Sequence, residues 1–238
     1  MFVHSLVNNP LFQQDPLGSM YSAIREAEEK TLERICWYDD SFQGHQELCD
    51  FNGTTAIAAV ICSNKFYAMN IGDSRMFYAV RSEEGKVVTE NVTSIHCPDM
   101  DIERKRIEQC GGRVTSLRSI SSSISTSRVH PAGDSDDSGL AMSRSICDTY
   151  FHRCGVISEP DLYEMIIKDH SIGLLIGSDG LTTVFGMSNC IKQVLEKEDP
   201  AVGLSCLVDN CYNMMYQYSE AKYVDDISGV YIDFSPTE

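Results

Sequence analysis

Hydrophobic residues recur along the chain with two periods, one typical of helices and one typical of strands. Residues 17–35 place apolar side chains three and four positions apart, with Glu, Lys and Arg on the other face, which predicts an amphipathic helix. Residues 201–218 carry a similar stripe and predict a second long helix. Shorter helices are predicted over residues 99–110, which Gly111-Gly112 follow, and over residues 188–196.

Strand-like runs fill much of the rest of the chain, and tight turns separate several of them. The predicted strands are residues 54–62, 65–71, 75–80, 86–92, 172–176 and 227–234. Many strands and long helices, with no linker or internal repeat, predict one α+β or layered α/β domain over residues 1–238 with mainly antiparallel sheets. The serine-rich residues 116–138 have no hydrophobic period, so we expect a mobile surface flap there.

Composition and charge exclude some classes of function. The 238 residues are 42% hydrophobic, which is enough for a sizeable core. The net charge of -16 would repel a phosphate backbone, so nucleic acid is not expected as a partner. No apolar run is long enough to span a membrane, and the first residues lack the pattern of a secretory signal. We therefore expect a cytoplasmic monomer, with the nucleus as the alternative compartment.

Ten cysteines raise the question of disulfides or a zinc site. No Cys-x-x-Cys pair and no tight Cys/His cluster with zinc spacing occurs, and a reducing compartment keeps thiols free. Cys62, Cys206 and Cys211 lie in apolar runs, which predicts buried free thiols.

Two acidic turns at the ends of apolar strands carry the candidate chemistry. Asp179 follows the predicted strand 172–176 and precedes Gly180, while Asp225 and Asp226 precede the last strand. A carboxylate at a strand end beside glycine has little steric cover and can face a hard cation. If Asp179 and Asp225 meet, they provide half of a Mg²⁺ or Mn²⁺ site, because these ions prefer oxygen ligands. A plain helix N-cap remains the alternative for Asp179.

Five segments, in chain order, resemble those of the metal-dependent Ser/Thr protein phosphatases, the type-2C-like or PPM family. They are Gly53-Thr-Thr-Ala56 leading to Asn70-Ile-Gly-Asp-Ser-Arg75, Glu103-Arg-Lys-Arg-Ile107 followed by Gly111-Gly-Arg-Val114, Gly139-Leu-Ala-Met-Ser-Arg-Ser-Ile-Cys-Asp148, Gly155-Val-Ile-Ser-Glu-Pro-Asp161, and Ser178-Asp-Gly-Leu181 paired with Asp225-Asp-Ile-Ser228. One such segment is a weak signal, but five in register over most of the chain are a specific one.

The resemblance implies a fold of two antiparallel sheets packed face to face with helix pairs outside. It also implies that two Mn²⁺ or Mg²⁺ ions bind a bridging water and direct it at the phosphorus of phosphoserine or phosphothreonine in a phosphoprotein substrate. Carried over by position, Asp179 and Asp225 would be metal ligands, and Asp226 stands where the family usually has asparagine. Asp73, Ser74 and Arg75 are expected to form a turn and an ion pair, while Arg144 and Asp148 are expected to serve in turns and packing.

The chain departs from the family pattern at several positions. The family's first catalytic segments, which supply a bridging aspartate and a histidine, should precede the helix at residues 17–35, and nothing in residues 1–16 matches them. Gly44-His45 lies in the wrong place to substitute for them. Ile95 and Thr183 occupy positions of a third metal site where acidic residues are expected. Cys147 replaces the glycine usual before Asp148, which predicts a strained backbone if φ is positive there.

Three hypotheses follow from these departures. The chain is an N-terminally truncated phosphatase, inactive or impaired alone, whose full sequence extends upstream. Alternatively, it is a pseudophosphatase that keeps the fold as a partner-binding or regulatory module. The third hypothesis is an incomplete product that does not fold alone.

Overall fold

The computed structural model describes residues 1–37, 51–118, 125–134, 139–219 and 224–234. The described helices are α1 (Phe2–Val7), α2 (Pro16–Trp37), α3 (Asp101–Gln109), α4 (Thr149–His152), α5 (Asp179–Phe185), α6 (Met187–Leu195) and α7 (Pro200–Tyr218). The described strands are β1 (Gly53–Thr54), β2 (Ala56–Cys62), β3 (Lys65–Ile71), β4 (Arg75–Arg81), β5 (Val87–Asn91), β6 (Arg113–Arg118), β7 (Ser125–His130), β8 (Ile146–Cys147), β9 (Asp161–Ile166), β10 (Ser171–Gly177) and β11 (Gly229–Asp233).

The chain forms two compact units. The first unit comprises Met1–Val60, Tyr67–Asp73 and Ile95–Leu162, and the second comprises Ile61–Phe66, Ser74–Ser94 and Tyr163–Glu238. The expectation of one domain over residues 1–238 stays a prediction.

The first unit has a core built on the amphipathic face of α2. Met20, Ala23 and Ile24 are buried on that face and pack with Met69 and Ile71 of β3. Because apolar side chains three and four positions apart share one face of a helix, the stripe seen in the sequence becomes this buried face. A three-stranded sheet with the order β2-β3-β9 also occurs in the chain.

A second core of the first unit lies between α3, the β6–β7 hairpin and α4. Its buried members are Ile107, Val129, Phe151, Cys154 and Val156. The hairpin pairs antiparallel from Arg113↔His130 to Arg118↔Ser125.

This hairpin corrects the expectation of an irregular flap over residues 116–138. Val129 and His130 are fully buried, so this part of the segment belongs to the folded unit rather than to a surface loop. The sequence of β7, Ser-Thr-Ser-Arg-Val-His, contains one apolar residue, Val129, so no apolar alternation indicated the strand. Residues 119–124 and 135–138 of the predicted flap lie outside the described residues, and its mobility stays a prediction.

The second unit is a four-stranded antiparallel sheet with the order β11-β10-β4-β5, together with three helices. Phe77 and Leu175 of the sheet pack with Leu181, Ile191 and Leu207 of the helices in one core. Helix α7 begins at Pro200, and the Asp199 carboxylate accepts a hydrogen bond of 2.8 Å from the Ala201 N–H. A capping aspartate followed by proline at the first helical position is a strong start signal.

The predicted α+β class, with antiparallel sheets flanked by helices, is confirmed. The long predicted helices and the strands of the first half lie within a few residues of the observed ones. Helices α1, α4 and α5 were not predicted. In the described part of the chain, no helix has both the length and the apolar composition needed to cross a bilayer.

Candidate metal centre

The strand register of the second unit brings the two acidic turns together. Gly177, the last residue of β10, lies opposite Gly229 at the start of β11. Just beyond this pair, the Ser178 N–H donates to the Ser228 carbonyl at 3.0 Å. The Ser228 N–H donates back to Ser178 Oγ at 3.1 Å. The turn that carries Asp179 is therefore hydrogen-bonded to the turn that carries Asp225.

Glycine at position 180 permits this close approach. A Cβ on Gly180 would lie 2.4 Å from the Asp226 carbonyl oxygen and 3.5 Å from the Asp225 Cβ. The first of these distances is a severe clash with backbone, so only glycine fits without moving one of the turns. The Asp-Gly order seen in the sequence thus has a steric reason, which is the contact between the two turns.

The electrostatics of the pair are those of two carboxylates that repel each other. Asp179 is half-buried, and its burial raises its pKa. The neighbouring Asp225 carboxylate raises this pKa further, against a hydrogen bond of 2.8 Å from the Gly180 N–H and the charge of Arg75. Asp225 Oδ1 accepts a hydrogen bond of 2.9 Å from the Asp226 N–H. A cation placed between like charges would relieve their repulsion.

The structure decides against the helix-cap alternative for Asp179. Helix α5 begins at Asp179 itself, and Ser178 occupies the N-cap position. Asp179 is therefore the first helical residue, where a negative charge interacts favourably with the helix dipole. Its Oδ1 accepts from the next N–H in the chain rather than from a residue one turn along.

Among the residues that the structure describes, Asp179 and Asp225 could ligate one hydrated cation, and no side-chain cluster suited to two ions occurs. Within the described ranges, no group of three or more His, Cys, Asp or Glu side chains could hold a metal ion. Two carboxylates suffice for a divalent ion that keeps most of its waters, as Mg²⁺ does in many sites. Asp226 is exposed, Thr183 cannot supply a charge, and Gly44-His45 lies outside the described residues.

Arg75, which the sequence assigned to a turn and an ion pair, also contributes charge to this site, and that contribution was not predicted. Arg75 is the first residue of β4 and pairs with Gly177 of β10. Gly177 lies two residues before Asp179. Its positive charge lowers the pKa of Asp179, although burial and Asp225 outweigh this effect. Its Nε is buried and has no hydrogen-bond partner among the described residues. Only the sheet register could have linked Arg75 to Asp179.

The first unit holds a different polar centre around the buried Glu103. Arg144 Nη2 donates to Glu103 Oε1 at 2.9 Å, and Arg106 Nη2 donates to Glu103 Oε2 at 2.8 Å. The Ser143 hydroxyl also donates to Oε2 at 2.6 Å. Burial acts to raise the pKa of Glu103, but these hydrogen bonds outweigh it and lower the pKa to about 2. The sequence led us to expect a turn and packing role for Arg144, and the structure shows that it forms ion pairs with Glu103 and Asp161.

The same network continues through Asp161 to His96. Arg144 Nη1 donates to Asp161 Oδ1 at 2.9 Å. His96 Nδ1 accepts from the Gly72 N–H at 2.9 Å, which leaves the other ring nitrogen to donate to Asp161 Oδ2 at 3.1 Å. The hydrogen bond from His96, followed by the charge of Arg144, lowers the pKa of Asp161 to about 2 against its burial. All these carboxylates are satisfied by the chain itself.

The strain predicted at Cys147 is confirmed. Cys147 has a φ of 63° and Asp148 a φ of 47°, so two consecutive residues other than glycine are in the left-handed region. Asp148 is buried, which raises its pKa, and a Cβ on Gly53 would lie 1.9 Å from its Oδ2. Asp148 therefore fills a tight turn between β8 and α4, as the packing role expected from the sequence requires.

The antiparallel sheets, their flanking helices and the hydrogen-bonded acidic turns define an α+β protein with a candidate metal site. The chain belongs to the protein phosphatase 2C family, whose family model matches residues 4–214. The family assignment made from the five segments is thereby confirmed.

Curated relatives and solved structures agree with this assignment. The chain is 29% identical over 202 residues to the probable protein phosphatase 2C 18 of Arabidopsis thaliana, covering 84% of this chain and 39% of that protein. It is 30% identical over 206 residues to the probable protein phosphatase 2C 34 of the same plant, covering 86% of this chain and 56% of that protein. The chain thus spans 39% and 56% of the length of these two relatives.

The fold is shared with a serine-threonine phosphatase 2C from Toxoplasma gondii. Its crystal structure aligns with a TM-score of 0.73 at 18% identity, covering 98% of this chain and 74% of that one. A C. elegans sex determining protein aligns with a TM-score of 0.68 at 17% identity, covering 99% of this chain and 52% of that one. At these identities the likeness shows the fold alone.

Proposed function

We propose that this chain is a module of a protein serine/threonine phosphatase that binds one Mn²⁺ or Mg²⁺ ion through Asp179 and Asp225. Its substrate class is phosphoserine or phosphothreonine in proteins, and its activity alone is impaired. The observation that carries the proposal is the pair of carboxylates held together by the turns at Ser178 and Ser228, in a chain of the protein phosphatase 2C family. Location in the cytoplasm or nucleus and a monomeric state stay predictions.

Each residue of the proposed site has a separate role. Asp179 and Asp225 would hold the ion, and the Ser178–Ser228 hydrogen bonds fix the separation of the two turns. Arg75 favours the ionised form of Asp179 in the absence of the ion. A bound divalent ion would supply a water of lowered pKa and positive charge for the phosphoryl oxygens. Impaired activity is proposed because the described residues offer two carboxylate ligands for one ion and no group of three or more ligands for a second.

Metal binding and turnover test this proposal together. Calorimetric titration with Mn²⁺ should give one site per chain in the unaltered protein. Asp179→Asn and Asp225→Asn should each weaken binding by roughly tenfold or more, because a lost charged contact is worth at least about 1.5 kcal/mol. Asp226→Asn is the matched control, since it removes an exposed carboxylate next to Asp225 and should leave binding unchanged. Binding that survives Asp179→Asn intact would contradict the site.

A pseudophosphatase is the second candidate, and two positions favour it. Ile95 and Thr183 are uncharged where the sequence comparison led us to expect acidic residues, and both are among the described residues. A phosphothreonine peptide and Mn²⁺ separate the two functions. Turnover that disappears in Asp179→Ala supports the phosphatase, whereas Mn²⁺ binding without any turnover supports the pseudophosphatase.

A further inference from the structure

We propose that Cys110 and Cys154 form a modification site, at which a small soluble disulfide such as oxidised glutathione links them in an intramolecular disulfide. Both residues belong to the first unit and take no part in the proposed metal site. The inference therefore goes beyond the phosphatase function and stands or falls separately from it.

Two glycines show how closely the two cysteine-bearing segments approach. A Cβ on Gly155, the neighbour of Cys154, would lie 3.1 Å from the Cys110 Cβ. A Cβ on Gly112, two residues after Cys110, would lie 3.1 Å from the Cys154 Cβ. Each cysteine is thus in contact with the backbone of the other's segment. A disulfide requires such an approach, because its two Cα atoms lie within about 7 Å.

Other contacts hold the two segments in place. Arg106 Nε donates to the Gly155 carbonyl at 2.7 Å, so the last turn of α3 is hydrogen-bonded to the segment after α4. Ile107 packs with Cys154 and Val156 in the same buried core. The Gly112 N–H donates to the Ile107 carbonyl at 2.9 Å, which fixes the chain just beyond Cys110. The two segments that carry the cysteines are therefore held against each other in the folded unit.

The two thiols differ in exposure, which assigns the order of reaction. Cys110 is exposed and is accessible to a soluble disulfide. Cys154 is buried, and its Sγ lies 3.1 Å from the Phe151 carbonyl oxygen to which it donates. Burial raises the pKa of Cys154, and the nearby Cys110 raises it further, so Cys154 is a poor first nucleophile. We expect Cys110 to react first and Cys154 to resolve the intermediate.

The reaction is two successive thiol–disulfide exchanges. The Cys110 thiolate attacks one sulfur of oxidised glutathione, forming a mixed disulfide while the other glutathione leaves with the electron pair and takes up a proton. The Cys154 thiolate then attacks the Cys110 sulfur and displaces the second glutathione in the same way. The two cysteines are oxidised, oxidised glutathione is reduced to two molecules of glutathione, and the two cysteine protons are transferred to them.

Peptide mass spectrometry after incubation with oxidised glutathione tests the proposal. The protein should yield a Cys110–Cys154 linked peptide, lose two alkylatable thiols, and recover both with dithiothreitol. Cys62→Ser removes another exposed cysteine and should leave this link unchanged. Cys110→Ser should abolish the link, and Cys154→Ser or Cys154→Ala should leave glutathione attached to Cys110.

If the Cys154 variants fail to fold, mass spectrometry of the unaltered protein is sufficient to test the proposal. Glutathione that stays on Cys110 while Cys154 remains alkylatable would overturn the proposal. The same holds if Cys110 links to a different cysteine, or if both thiols stay reduced while exposed Cys62 reacts.

Discussion

Glu103 in the first unit and Asp179 in the second are both shielded from water, yet their pKa values are displaced in opposite directions. Glu103 accepts hydrogen bonds from two arginines and a serine, and its pKa is lowered to about 2. Asp179 faces a second carboxylate, that of Asp225, and its pKa is raised. The same chemical group is thus stabilised as an anion in one unit and destabilised as an anion in the other.

The difference separates structural carboxylates from candidate functional ones. A carboxylate whose charge is satisfied by the chain contributes to stability and has little left to offer a ligand. A like-charged pair costs stability until a cation binds, so its persistence in a folded protein needs another reason. On this argument the Glu103 network stabilises the first unit, and the Asp179–Asp225 pair is the candidate for binding a cation.

Glu103→Gln should give the largest loss of stability. The change leaves Arg106 and Arg144, both largely shielded, without their shared carboxylate. Removing one partner of a buried ion pair costs about 3–5 kcal/mol, so the free energy of unfolding measured with urea should fall by about that amount. Glu108→Gln is the control, because Glu108 lies on the same helix with an exposed side chain and a 3.6 Å pair to Arg104. That variant should change the free energy of unfolding by less than about 0.5 kcal/mol. Equal effects of the two substitutions would mean that the ion pairs of Glu103 add no special stability to the first unit.

Acid should reveal the same contribution in the unaltered protein. Glu103 has a pKa of about 2 in the fold and an ordinary value of 4.5, so its contribution is present above pH 4.5 and is lost as pH falls towards 2. Asp161, whose pKa is lowered from 3.8 to about 2, acts with the same sign. The part due to Glu103 amounts to about 3 kcal/mol. Urea unfolding at a series of pH values should therefore show that acid lowers the free energy of unfolding less in Glu103→Gln than in the unaltered protein. If the free energies of the two proteins fall in parallel with pH, Glu103 does not make this contribution.

Mn²⁺ should stabilise the second region by a smaller amount. At a free concentration tenfold above its Kd, a ligand that binds only the folded chain adds about 1.4 kcal/mol to the free energy of unfolding. Thermal unfolding with Mn²⁺ and after chelation measures this gain. At the same Mn²⁺ concentration, Asp179→Asn should cut the gain to about 0.4 kcal/mol or less, because its site binds at least tenfold more weakly. In the absence of metal it should be at least as stable as the parent, because the repulsion with Asp225 is gone. An Asp179→Asn protein that is markedly less stable without metal would indicate a structural role.

Sequence patterns predicted the helices and strands that have a strong hydrophobic period. They also predicted candidate site residues that are recognisable from their immediate neighbours in the chain. The helix predicted at residues 17–35 is observed as Pro16–Trp37, because its buried stripe is continuous. Asp179 and Asp225 could be selected because each ends or begins a strand beside small residues, and the antiparallel register then brings their turns together. Helix α5 escaped prediction because its 7 residues cover too few turns to show a period.

Long-range contacts could not be predicted in the same way. Glu103 forms an ion pair with Arg144, which lies 41 positions further along the chain. Nothing in the local sequence around either residue indicates this pair. Cys62 was predicted to be buried because its neighbours are apolar, and this was wrong. It ends β2 just before a turn and is exposed, since hydrophobicity alone does not say where a strand leaves its sheet.

The smallest expected effect concerns the backbone of the first unit, where the cost lies in conformation rather than in charge. Cys147 has a φ of 63°, and its N–H donates to the buried Glu28 at 3.2 Å. Glycine adopts such a φ freely, whereas other residues lose about 1 kcal/mol. Cys147→Gly should therefore be about 1 kcal/mol more stable than Cys147→Ala, a comparison that cancels the loss of the sulfur. Cys211 is the matched control, because it is buried inside α7, where alanine should exceed glycine by about 1 kcal/mol. Urea unfolding of the four variants should show the glycine variant to be the more stable one at position 147 and the alanine variant to be the more stable one at position 211. An alanine variant more stable than the glycine variant at position 147 would mean that the turn is not strained.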